Sequence, residues 1–491
     1  MDSQSKDGGF ELHEIGNTLS SVESDNATLA RLGKKPVLKR RFAFLSILGF
    51  ACTVLITWEG SLILFLVGLQ NGGPAGVIYG CLLVWMGTIS TFIVLSELVS
   101  LAPTSGGQYH WVSMLAPTNV RKGFSYVSGW LTLAGWQAAV ASGGYLNSTL
   151  IQGLIVLTRP DYVAHNWHGT CCALFVLHIV GFFAILIPLL TLGPKGDTKE
   201  VFTTFLNLGG WSSQGLSFCI GTMGTVFGFV GGDAAIHLSE EIQNATLVVP
   251  RAIMTGVMIN GSLGFAIILA VLYRAGDIDT ALAENPAYPF IAILKHAMNS
   301  TTAAAILASL ITCMAITSTV GMLASSSRVL WAFSRDKGIP GWRTLSKVNT
   351  RTSIPMYAVA TTTIVACVLA LVNIGSATAF NGIISVSIAG LTSSYLLVST
   401  LLLHRRCTAG IVPASSASIS IPTEPRSPKI IWGPWRIPGA LGIANNNMNY
   451  SILVTGFFAI FSALYYLLWA WKTYHGLVVE VEPTYVCDVR A

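Results

Sequence analysis

"GFACTVLITWEGSLILFLVGL", residues 49–69, is the stretch on which the fold turns. As a helix at 1.5 Å per residue it would be about 31 Å long, enough to cross the hydrocarbon core of a bilayer. Glu59 is its only charged residue. A carboxylate at mid-membrane costs roughly 2.5–3.5 kcal/mol on insertion scales, and such residues usually face a polar path or a partner. Thr57, Gly60 and Ser61 beside Trp58 and Glu59 tolerate an interrupted helix. One reading is therefore a helix broken over Thr57–Ser61 around a substrate site. The other is a structural charge, paired within the bundle or nearer an interface.

The rest of the chain fits a membrane setting. Of 491 residues, 52% are apolar and 10% charged, against about 25% charged in soluble proteins. Ten apolar runs are long enough to span: Phe42–Leu69, Ala75–Ser100, Phe124–Leu157, Thr170–Leu192, Gly215–Ile236, Ala252–Tyr273, Thr302–Trp331, Pro355–Val372, Ala379–Leu403 and Tyr450–Trp471. None alternates as a barrel strand would, so the expected fold is an all-α integral membrane bundle. Residues 1–41 read as a disordered cytoplasmic tail without an apolar leader, 42–475 as the transmembrane domain, and 476–491 as a short tail. The nine cysteines lie mostly in apolar runs with no C-x-x-C pair, which predicts packed, reduced thiols.

Charge placement constrains topology. Of 28 Lys and Arg, 18 fall before Phe42, in Arg328–Arg351 and in Arg405–Arg436. The positive-inside rule puts all three on the cytoplasmic side. Yet seven runs separate the basic tail from the loop after Trp331, and an odd number places them on opposite sides. Phe124–Leu157 is too short for two crossings, which need about 40 residues. A crossing is missing, or one run does not cross.

A second interruption is expected in "GTMGTVFGFVGGDAAIHLSEE", residues 221–241. Gly224, Gly228, Gly231 and Gly232 weaken a helix by up to ~1 kcal/mol each, and Asp233 follows at once. Close packing through small residues is the competing explanation. Two broken spans are the sequence pointer to a secondary transporter built from inverted repeats. Helix ends at the midplane suit a carboxylate, and carbonyls or carboxylates suit an amine or cation. Trp58, Phe227 and Phe229 are candidate cation–π faces, although aromatic packing explains them equally. The candidate substrate residues are Thr57, Trp58, Glu59, Gly60, Ser61, Phe229, Gly231, Gly232 and Asp233. Glu59 is assigned to an amine or coupling ion, Gly231 and Gly232 to a carboxylate or to gating, and Asp233 to the amine or a proton. Glu97, Glu240 and Glu241 end spans, as solvated or gate-forming groups. His110, His237 and His404 lie near span ends. Sequons stand at Asn26, Asn147, Asn244 and Asn299, of which Asn299 alone falls in a loop placed outside. Phosphate loop, nucleophile elbow, metal spacing and nucleic-acid signature are all absent, so neither an enzyme nor a cofactor is expected.

Four segments carry a resemblance: "NGGPAGVIYG", "SELVSLAPTSGGQYHWVSMLAP", "HLSEEIQNATLVVPRAI" and "SSSRVLWAFSRDKGIPGW". They resemble the fungal amino acid/choline transporter family of the amino acid–polyamine–organocation superfamily, which includes choline and 4-aminobutyrate permeases. The resemblance runs from about Lys39 to His475. It implies twelve helices, ten of them in a 5+5 inverted repeat, with both termini cytoplasmic. It further implies alternating access, often proton-coupled, with an amino acid, choline or related amine held between the broken first and sixth helices. Those breaks fall on Thr57–Ser61 and Phe229–Asp233. A multi-pass protein of the plasma membrane, or of a vacuolar or other endomembrane, follows. The chain departs from the pattern after "NWHGT" and after "WRIPGALGIANN", where helices four and eleven would stand. Splicing or gene-prediction artefacts compete with a real short form as the cause. A non-transporting nutrient sensor or an inactive truncated permease is the alternative function.

Overall fold

The structure, a computed structural model, describes residues 22–158, 175–276, 280–281, 284, 288–375, 377–408, 411–412 and 430–436. In chain order these form α1 (22–31), α2 (Phe44–Val54), α3 (Thr57–Ile63), α4 (Phe65–Leu101), α5 (Gln108–Leu115), α6 (Arg121–Thr158), α7 (Phe175–Leu192), α8 (Thr198–Thr203), α9 (Gln214–Gly228) and α10 (Ala234–His237). There follow α11 (Ala245–Arg274), α12 (Pro289–Met298), α13 (Thr301–Arg335), α14 (Trp342–Leu345), α15 (Met356–Gly375) and α16 (Ala377–Cys407). Ile411–Val412 and Ile430–Ile431 make a two-residue parallel pair. The run Tyr450–Trp471 and the tail 476–491 lie outside the described residues.

Polarity is inverted relative to a soluble protein. Buried positions include Glu59, Ser96, Glu97, Gln108, Asp233 and Asn260, while Tyr79, Leu83 and Met86, then Val180, Phe183 and Ile187, and Ile364, Val368 and Leu371 are exposed at helical spacing. Such apolar stripes suit lipid. Among the described residues, five helices are long and apolar enough to cross a membrane: Phe44–Ile63, Phe65–Leu101, Ala245–Arg274, Thr301–Arg335 and Gly382–Cys407. Phe124–Leu157 falls within a single helix, α6, and does not hide two crossings.

α4 is two limbs. Gly73 has φ 68 and ψ −177, and a Cβ on Gly68 would lie 2.9 Å from the Val77 side chain. In a straight helix nine residues span about 13.5 Å, so the chain doubles back at Gly73. A Cβ there would meet Leu206 N at 2.6 Å and Thr204 O at 2.8 Å, so space and φ both demand glycine. Pro74 opens the second limb, where its missing N–H is harmless.

Helix direction explains the charge parity. α13 ends at the basic loop, so its Arg335 end is cytoplasmic. α6 runs antiparallel to it, with Gly129 against Phe333 and Gly143 against Thr319, and therefore runs outward. α11 starts at the cytoplasmic face and ends at Arg274 outside. α7 parallels α11: His178 near its start faces Asn260, and beyond its end Gly196 N donates to Tyr273 O at 2.8 Å. Hence α6 and α7, successive long helices, both run outward. Residues 159–174 between them are outside the described residues, and sixteen are fewer than the about 20 that a crossing helix takes. Among the described residues, the parallel course of α6 and α7 is the same parity mismatch that the charge count raises. The second expected gap, after "WRIPGALGIANN", lies outside the described residues.

The tail is a correction. Residues 22–41, expected to be disordered, are folded against the cytoplasmic face. Asp25 accepts from Asn244 N (2.7 Å) and Ala245 N (3.3 Å), capping α11 from a distance. Lys34 is buried and paired with Asp336, and Phe42 bridges Ile242. Partners some 200–300 residues away give no local compositional signal. Residues 1–21 lie outside the described residues.

Candidate substrate site at two helix breaks

The first break sits two residues before Thr57–Ser61, the position expected from sequence. Ile56 N donates to Val54 O (3.0 Å) and Thr57 N to Leu55 O (2.6 Å). With Leu55 at φ −75, ψ 68 and Ile56 at φ −67, ψ 52, the chain makes two successive inverse γ-turns. Thr57, Trp58, Glu59, Gly60 and Ser61 are helical and open α3. Gly60 packs against the second break: a Cβ there would make ordinary contact, 3.4 Å from Gly228 Cα. The second break covers Phe229–Asp233, between α9 and α10. Gly231 has φ +96, and its Cβ would press on Val54 at 2.7 Å. A Cβ on Gly232 would fall within the ring of Phe92. Gly232→Ala should therefore cost about 1–3 kcal/mol by overpacking. Thermal unfolding in detergent checks this, and trimming Phe92 to Leu in the same chain should restore most of the loss.

The two breaks touch. Thr57 Oγ1 donates to Gly228 O at 3.0 Å. Two serines of α13 tie them further, Ser318 to Val54 O and Ser325 to Ala234 O, each at 3.1 Å. The first break lies where two hydrophobic clusters meet, with Val54 and Leu55 in one and Trp58 in the other.

The two carboxylates do not converge. Glu59, fully buried, faces α7 and meets His178 Nδ1 at 2.6 Å. Trp58 packs on His178 at 5.9 Å and on Phe182 at 5.7 Å between ring centroids. Glu59 Oε2 and Trp58 Nε1 are buried without a protein partner, and His178 also stands beside the Asn260 amide. Each such orphan costs about 1–3 kcal/mol if left unmet. Asp233 instead faces α5: Gln108 Nε2 donates to its Oδ2 at 2.8 Å, and His237 Nε2 lies 3.3 Å away. The Tyr395 hydroxyl of α16 also reaches Asp233, and Gln108 Oε1 is an orphan. Ser61 donates to Thr57 O at 2.7 Å, and Phe229 is buried where the second break begins. His178 and Asn260 are what sequence reasoning misses, although an ionisable side chain inside "LFVLHIVGFF" is the same signal that marks Glu59.

Below the breaks the cytoplasmic side is closed by paired charges. Arg335 grips Glu240 through two bonds, 2.8 and 3.0 Å, and stacks on Trp331 at 4.4 Å. Arg328 reaches Glu241 at 2.8 Å. Ser105 N donates to Glu240 Oε1, and Tyr109 OH to Asp336 Oδ2 at 2.9 Å. Glu97 pairs with Arg406. Glu97, Glu240 and Glu241 are thus buried ion-pair partners and not solvated span ends. Within "LAPTSGGQYHWVSMLAP", residues 101–117, Gln108–Leu115 form the buried helix α5, with Gly107 at φ +53 before it.

The amino acid permease family model matches residues 42–182 and 173–486. The chain belongs to the amino acid permease family. Residues 173–182 are matched twice, at the junction where α7 begins. A choline transporter of Saccharomyces cerevisiae is 27% identical over 473 residues, covering 90% of this permease and 83% of that protein. The amino-acid permease BAT1 of Arabidopsis thaliana is 28% identical over 416 residues, 77% and 80% of the two chains. The swainsonine transporter swnT of Arthroderma benhamiae is 29% identical over 365 residues, 68% and 71%. This permease is a multi-pass membrane protein and a secondary transporter, not an enzyme.

Proposed function

We propose that the permease carries a small cationic or zwitterionic amine, choline or an amino acid, by alternating access at the two breaks. The observation that carries this is the buried Glu59 carboxylate with Oε2 unpartnered beside the Trp58 indole. Carboxylate and aromatic together are the chemistry that holds an ammonium. Thr57, Gly60 and Ser61 open α3 directly after the first break. Phe229, Gly231 and Gly232 offer backbone to a substrate carboxylate or to a gate, and Asp233 sets the cytoplasmic end. The paired charges below correspond to an inward-closed state. The relatives named as choline transporter and amino-acid permease favour the same substrate range. Protons are the proposed coupling ion.

A second reading, a protein that binds substrate without completing the cycle, is favoured by one observation: α6 and α7 run in the same direction. Reconstitution of this 491-residue chain in liposomes separates the two. Saturable accumulation of labelled choline or amino acid supports transport. Binding without accumulation supports the sensor reading, and neither one marks an inactive short form. Sequencing of transcripts across the codons for 159–174 should then reveal in-frame sequence for the absent crossing.

A further inference from the structure

We propose that His178 and Glu59 form a proton-for-cation exchange site, in which a bound substrate ammonium displaces one proton from the His178 imidazolium. The inference rests on the reading of Glu59 as the ammonium contact.

Glu59 uses one oxygen, Oε1, to hold His178 Nδ1 at 2.6 Å, and keeps Oε2 free. The pair is wholly inside the bundle, at 0% and 2% side-chain exposure. The described groups around it leave the charge balance to these two residues. From α2 comes the Cys52 thiol, and from α11 the neutral Asn260 amide beside both Cys52 and His178. From α13 come Leu310 and Met314, packed at Gly181 one turn along α7. α12 adds apolar residues to the same cluster, and Tyr288 before it is bonded to Thr149. Carboxylate plus imidazolium is neutral in sum. Adding an ammonium would leave one buried, uncompensated positive charge, and such a charge costs several kcal/mol in a dry interior. An imidazole can remove that charge because its proton leaves between about pH 5 and 8. The balance is simple. Before binding, the site holds one negative carboxylate and one positive imidazolium. Afterwards it holds the carboxylate, a neutral imidazole and the ammonium, and the proton has passed to water. Net charge is zero in both states. His178 acts through Glu59 and is a positioning residue, and Trp58 packs on the imidazole at 5.9 Å between ring centroids.

The test is choline binding to the purified, full-length chain in detergent. Wild-type protein should release about one proton per choline bound at pH 5.5 in weak buffer. Its affinity should rise at least about tenfold from pH 5.5 to 7.5, following proton linkage. His178→Gln keeps a hydrogen-bonding side chain without a titratable proton; it should bind choline with less than about twofold change over that interval. The proton count on wild-type protein needs no variant, so misfolding of His178→Gln leaves the test intact. No proton release by wild-type protein overturns the exchange, as does an unchanged pH slope in a folded His178→Gln. Glu59→Gln separates the premise from the inference. If it binds choline as wild type does, the ammonium contact itself is wrong. If it loses binding while His178→Gln keeps the slope, only the exchange is wrong.

Discussion

Glu59→Gln should lower uptake of a cationic substrate at least about 30-fold, with the amount of protein in the membrane unchanged. Removing one member of a buried charge pair costs about 2–5 kcal/mol, and 2 kcal/mol alone is roughly 30-fold. Glutamine keeps the shape of the side chain, and its Oε1 can still accept from His178 Nδ1, so the packing of Trp58 between His178 and Phe182 is preserved. What is lost is the charge at the free oxygen. The competing explanation is that Glu59 is a structural partner of His178. On that view, uptake would fall only in proportion to folded protein, and per-molecule transport would survive. Uptake normalised to surface protein decides between them.

Arg335→Met should destabilise the protein by about 3–5 kcal/mol, because Glu240 would remain buried without its bidentate partner. Ser105 N still reaches Glu240 Oε1, but one backbone amide does not neutralise a carboxylate. Glu240 lies in the 3-10 turn Ser239–Glu241 just past α10, and Arg335 ends α13, so the pair locks the segment below the second break to a long helix. The variant should unfold at a lower temperature and favour an inward-open arrangement, read from cysteine labelling on the cytoplasmic side. Replacing Glu240 with Met in the same chain should recover most of the stability, since an apolar pair of similar volume is often neutral or better. A wild-type unfolding temperature for Arg335→Met would mean the pair is not buried in the working protein.

How much of this was legible in the sequence depends on the range of the cause. The bundle was legible, since apolar length is a property of consecutive residues. The second break was legible from Gly231 and Gly232, which mark it chemically, and the family resemblance set its Phe229–Asp233 bounds. The first break was displaced by two residues, because γ-turns at Leu55 and Ile56 involve residues with no special backbone freedom. Gly60 drew the assignment towards itself, yet it is helical within α3. The lost crossing was legible from charge parity before any helix direction was known. Long-range pairing was not legible. Lys34 with Asp336, Asp25 with the start of α11, and Glu59 with His178 join positions that share no local pattern. Nor did the sequence separate the two carboxylates: Glu59 and Asp233 sit at touching breaks but turn to α7 and α5 respectively.

The most direct test of the substrate site is an electron cryo-microscopy structure of the chain in lipid nanodiscs with saturating choline or amino acid. Ligand density is expected within hydrogen-bond distance of Glu59 Oε2, against Trp58 and beside the backbone of Phe229–Gly232. Ligand density elsewhere, with Glu59 still engaged by His178 alone, would contradict it.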